Sequence, residues 1–250
     1  MSRLATGVKL QAYSFFRRPL NVALLLIIPP LVIEGYAASM QAFPEMPFME
    51  TPPTDVGRMS GAVFSAAFLT GIFGLFQVIS SLNADRRLVL TGYPRVTLLV
   101  TRIATILGFS LVVSGISYAV LATSVDVKAP ALAYLFLVLS GIVYGLLGVV
   151  IGSAVPRELE GSIILLFVVD ADAFFSSGFI SLDSFLPKLF PLHYPHSLFE
   201  SAVVDGTYIS NDVLYAVVYI LALSVIALIV FTGSMSQGSN VKQRVSGWLG

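Results

Sequence analysis

The chain contains no cysteine, which excludes disulfides, thiolate nucleophiles, iron–sulfur clusters and cysteine zinc sites. Charge is nearly as scarce. Asp, Glu, Lys and Arg make up 11% of the 250 residues while 56% are hydrophobic; soluble domains usually carry about 25% charged residues. So little charge cannot cover a soluble surface. With a mean hydropathy of +0.90, the sequence reads as a single all-α integral membrane domain over residues 1–250. Net charge is zero, which argues neither for nor against nucleic acid, and no nucleic-acid partner is expected.

Catalytic signatures are missing as well. None of the four lysines (Lys9, Lys128, Lys188, Lys242) follows a glycine, so there is no Walker A phosphate loop. Neither His-Glu-x-x-His nor Gly-x-Ser-x-Gly occurs, which removes the usual metalloprotease and serine-hydrolase motifs. His193 and His196 are three apart with Pro195 between them, and two ligands do not close a zinc site. No catalytic, cofactor or metal site is expected in the chain.

What is present is a series of apolar runs. The order predicts six transmembrane helices at about 20–36, 59–82, 96–123, 131–154, 161–180 and 212–232. Before them, Leu4, Val8, Ala12 and Phe16 recur every four residues among Arg3, Lys9, Arg17 and Arg18, predicting an amphipathic interfacial helix over 3–18. Pro29 and Pro30 inside the first span should kink it, and they count against a signal-peptide reading. Gly61, Gly71 and Gly74 in the second span, and Ser140, Gly141, Gly145 and Gly148 in the fourth, are candidate close-packing positions between helices. Before the last span, Lys188, His193, His196 and Glu200, with three prolines, argue against a seventh crossing. A re-entrant or interfacial helical segment fits better there.

Lysine and arginine set the orientation. With the N-terminus inside, eleven of the fourteen basic residues are cytoplasmic, and only Arg58, Lys128 and Lys188 lie outside. An even number of spans puts both termini on that side of the cell membrane. Arg102, near the start of the third span, is expected to snorkel to the interface.

Two polar features interrupt the hydrocarbon. Asp170 and Asp172 stand inside the fifth span, where a carboxylate costs about 2.5–3.5 kcal/mol on insertion scales. Two residues apart, they point to nearly opposite faces of a helix, and they suit a helix that breaks there. They either line a translocation path or make structural caps to neighbouring elements. The second feature is the segment Ser80–Arg95, containing Asp85-Arg86-Arg87 and Thr91-Gly92-Tyr93-Pro94. It is either a topological anchor for the positive-inside rule or a short helix over about 84–90, ended by glycine and proline.

The order of these features resembles the type-2 ABC exporter permeases. The resemblance rests on Phe15-Phe16-Arg17-Arg18-Pro19, the six spans, Asp85-Arg86-Arg87 before Gly92, and Leu186-Pro187 through Pro191-Leu192-His193-Tyr194. It implies a permease subunit moving a solute by alternating access, paired with a second permease copy or paralogue. A separate ATP-binding subunit would hold the ATP and magnesium. It further implies a coupling helix whose partner contacts are Asp85, Arg86, Arg87, Gly92, Tyr93 and Arg95. The alternatives from the residues alone are an ion- or proton-coupled carrier using Asp170 and Asp172, or a non-transporting membrane anchor.

Overall fold

A computed structural model of the chain describes residues 13, 17, 19–42, 51–176 and 187–246. The expected amphipathic helix over 3–18 and the final residues of the expected fifth span lie outside that set. Among the described residues the secondary structure is helical throughout, with no strand: α1 (Pro19–Met40), α2 (Pro53–Leu90), α3 (Arg95–Leu121), α4 (Pro130–Ala154), α5 (Glu158–Ser176), a 3-10 turn (Pro187–Leu189), α6 (His193–Val204) and α7 (Ser210–Ser246).

Five of these helices are long and apolar enough to cross a membrane: Val22–Met40, Pro53–Leu82, Arg95–Leu121, Pro130–Ala154 and Ser210–Ser234. They match the first four and the last of the expected spans. The fifth expected span is a helix, α5, but Glu158, Glu160, Asp170 and Asp172 within its 19 residues set it apart from the others. The segment before α7 holds the 3-10 turn and the 12-residue helix α6.

Helix starts follow proline chemistry, since proline at the first helical position forfeits an N–H that has no intrahelical partner anyway. Pro53 and Pro130 sit there in α2 and α4. Pro29 and Pro30 lie within one continuous helix, α1. The helix α7 runs past the expected last span, through Gly233 and Ser234, to Ser246.

Neighbours in the chain pack antiparallel around a centre made of α2 and α4, which run parallel to one another. Their contact is backbone on backbone. A β-carbon on Gly74 would lie 2.3 Å from Gly145 O, and one on Gly148 would lie 2.0 Å from Gly71 O. Glycine is therefore obligatory at both positions, as the small-residue spacing predicted. Gly61 serves the α1 contact in the same way, with Ile33 Cα 2.8 Å from a would-be β-carbon. Hydroxyls stitch the remaining seams. Ser65 and Ser117 join α2 to α3 at 2.6 Å, and Ser110 donates to Val138 O of α4 at 2.9 Å.

α5 starts beside the C-terminal half of α2 and runs back along it, with Leu75 against Gly161 and then Leu165 against Gly71. α6 packs at the far end, where Lys128 and Ala129 donate backbone N–H groups to Val203 O and Ala202 O. α7 is the most exposed of the long helices, with Leu214, Val218, Leu221, Val225 and Ile229 turned outward.

Gly148→Ala should destabilise the bundle by about 1–3 kcal/mol through overpacking, read as an earlier thermal transition in detergent. Gly108→Ala, within α3 at a position with nothing within 4 Å, should not lower the transition, since alanine favours a helix interior over glycine by about 0.5–1 kcal/mol.

Candidate functional site

The segment Ser80–Arg95 is not a separate helix. α2 passes through it without interruption to Leu90, because no breaker precedes Gly92. The stop has the form anticipated from Thr91-Gly92-Tyr93-Pro94. Gly92 takes φ 88°, its N–H donates to Val89 O at 3.0 Å, and Tyr93 N–H donates to Leu88 O at 3.0 Å. That pair of bonds is the Schellman arrangement, which needs a left-handed residue and so favours glycine. Pro94 then opens α3.

The six residues implied as partner contacts separate into two groups. Asp85 is buried and turned inward, accepting a hydrogen bond and ion pair from Arg102 Nη2. Arg86 donates from Nη2 to Ser234 O of α7 at 3.0 Å. Arg87 and Gly92 are exposed, and Tyr93 and Arg95 are half-buried. Leu88 and Leu90 add exposed apolar surface beside them.

Arg102 corrects an expectation. Instead of snorkelling outward it is 2% exposed, and it donates to Gln77 O at 2.5 Å, to Ser81 Oγ and to Asp85. The ring of Phe231 from α7 lies 5.8 Å from its guanidinium carbon. The reason is satisfaction: three acceptors within α2 replace the water that snorkelling would have sought. Gln77, Ser81 and Asp85 recur at four-residue spacing, and that spacing was the legible signal that these acceptors share a helix face.

The two carboxylates of α5 do point apart. Asp170 is exposed and accepts from the Tyr36 hydroxyl at 3.2 Å. Asp172 is fully buried and accepts from Tyr144 at 2.5 Å, Ser176 at 2.9 Å and the backbone N–H of Leu192 at 2.9 Å. The expected break in the helix does not occur at this pair, because α5 continues to Ser176. Asp172 reaches its donors sideways. One of them is the N–H of the residue preceding α6, where an anion also meets the positive end of the helix dipole.

Glu34 is satisfied by Arg58 of α2, which donates from Nε at 3.2 Å and from Nη2 at 3.4 Å while holding Asp55 at 3.1 Å. His196 is buried with Nε2 3.4 Å from Ser60 Oγ, and burial pushes it down to about 4. The described residues contain no group of three or more His, Asp or Glu placed to hold a metal ion. A scan against protein-family models and a search of curated proteins each find no match to this chain.

Asp172→Ala removes the acceptor of three donors and strands the buried Leu192 amide, at a cost of about 1–3 kcal/mol. Hydrogen exchange at the Leu192 amide should accelerate at least tenfold, and Asp172→Asn, which keeps one oxygen acceptor, should do less. Because His196 is neutral in the fold and titrates near 6.5 when unfolded, the unfolded state binds the extra proton first. Its contribution is therefore present above pH 6.5 and is lost as pH falls from about 6.5 to about 4. Glu200, raised by burial and by Asp205, works in the opposite sense. The test is the difference between the parent and His196→Asn: the parent should lose stability more steeply across that window.

Proposed function

We propose that the chain is the membrane-spanning subunit of an ATP-driven exporter of the type-2 ABC class, with ATP hydrolysed on a separate subunit. The observation that carries this reading is the continuity of α2. Its apolar stretch ends at Leu82 while the helix runs on to Leu90, an extension of eight residues or about 12 Å. That extension presents Arg87 to the surroundings and is bound to α3 through Asp85 and Arg102. A force applied to it reaches the apolar bundle without crossing a flexible joint.

On this reading α5 is a sixth crossing. It begins just after Arg157 at the same end as Leu90, runs antiparallel to α2 and meets α6 at the opposite end. Its 19 residues span about 28 Å, close to the hydrocarbon thickness. Both termini then share the cytoplasmic side with the arginine-rich ends of α2 and α3, as the positive-inside rule favours. A second permease copy or paralogue completes the transporter, and lipid covers the apolar faces.

Asp170, a carboxylate exposed on α5, favours a second reading in which the chain is an ion-coupled carrier. The two readings separate in one reconstitution. For an exporter, proteoliposomes containing the chain and an ATP-binding subunit show vanadate-sensitive ATPase activity, and Arg87→Glu/Arg95→Glu lowers it more than tenfold while the chain still inserts. For a carrier, Asp170→Asn abolishes transport with no ATPase present. Unchanged subunit binding and activity in the arginine variant would sink the exporter reading.

A further inference from the structure

Gln77, Ser81 and Asp85 lie on one face of α2 and all supply acceptors to the single guanidinium of Arg102 from α3. The next residue, Arg86, is held by Ser234 O of α7 at 3.0 Å, and Phe231 of α7 also faces Arg102. Successive residues of a helix are turned by about 100°. With residue 85 fixed toward α3 and residue 86 toward α7, the roll of the last turns is determined, and Ala84, Arg87, Leu88 and Leu90 face outward.

A buried ion pair is a weak source of stability, because desolvation offsets most of its attraction. What it fixes well is geometry, since either charge left alone in the interior is heavily penalised. The pair also stands where the apolar stretch gives way to the basic one, three residues beyond Leu82. We propose that Asp85 and Arg102 are a positioning pair: they set the roll of the α2 extension and so select which of its side chains a docking partner meets. The nature of that partner rests on the exporter reading; the positioning itself does not.

The absence of cysteine makes the test direct. Spin labels at Leu88→Cys and Val100→Cys, both exposed positions, report the α2–α3 relation in lipid nanodiscs. The parent should give one narrow distance distribution. Asp85→Asn/Arg102→Leu removes both charges, stranding neither, and should widen the distribution at least twofold, while Asp85→Glu keeps it narrow. In the same membranes, trypsin nicking at Arg86 and Arg87 relative to exposed Arg157 should rise about tenfold as the segment opens locally. Nicking at Arg157 itself should stay constant, which separates loss of roll from loss of fold.

A narrow distribution and an unchanged nicking ratio in the charge-free pair overturn the proposal. Should that pair fail to fold, Arg102→Lys decides instead. It keeps the charge but lacks the fork that spans three acceptors, so it should broaden the distribution, and a parent-like width refutes the proposal. Neither readout involves a partner. Failure here leaves the exporter reading standing, and failure to find ATPase coupling leaves this pair untouched.

Discussion

The bundle depends on the direct approach of α2 to α4. Where Gly74 meets Gly145 and Gly148 meets Gly71 there is no room for a side chain between the two backbones. In hydrocarbon, apolar side chains gain little by leaving lipid for protein, so close packing and hydrogen bonding decide which helices associate. Contacts of this kind fix the separation of the two central helices. The remaining elements are laid against that pair: α1 through Gly61 and Gly57, α3 through its serines, and α5 through Gly161 and Leu165.

The polar groups follow the same constraint. Water is absent at depth, so a buried charge or polar group is costly unless it finds partners within the protein. Two solutions appear at the two ends of the bundle. Arg102 has an opposite charge, a hydroxyl and a carbonyl. Asp172 has no cation but three neutral donors, one of them on the segment that leads into α6. The first joins three long helices; the second ties the short helix α6 to the frame. Neither depends on residues outside the chain.

Much of the fold was legible because hydropathy and glycine spacing are local signals. α3 and α4 were anticipated to within two residues, and of the glycines assigned to packing Gly61, Gly71, Gly74 and Gly148 lie against a neighbouring backbone. The stop at Gly92 was legible for the same reason, since a left-handed turn has few residue choices. What escaped was pairing across the chain. Whether Arg102 turns to lipid phosphate or to Asp85 depends on which helices become neighbours, and no window of sequence around Arg102 contains that information. The same holds for Asp172, whose donors come from positions 144, 176 and 192. The length of α2 was underestimated because polarity was read as a change of structure. A helix leaving the apolar layer becomes polar without ending.

That uninterrupted length has a mechanical consequence. The backbone approach to α4 is tightest around Gly71 and Gly74, and Gly74 lies sixteen residues from Leu90 and twenty-one from Pro53, or about 24 Å and 32 Å along the axis. Tilting of the helix as one rod would turn it about that closest approach. A tilt of about 10° carries each end sideways by about 4–6 Å at these arm lengths, in opposite directions. The end beside Arg58 and Glu34 is then the longer arm, and it moves farther than the end where the helix is capped.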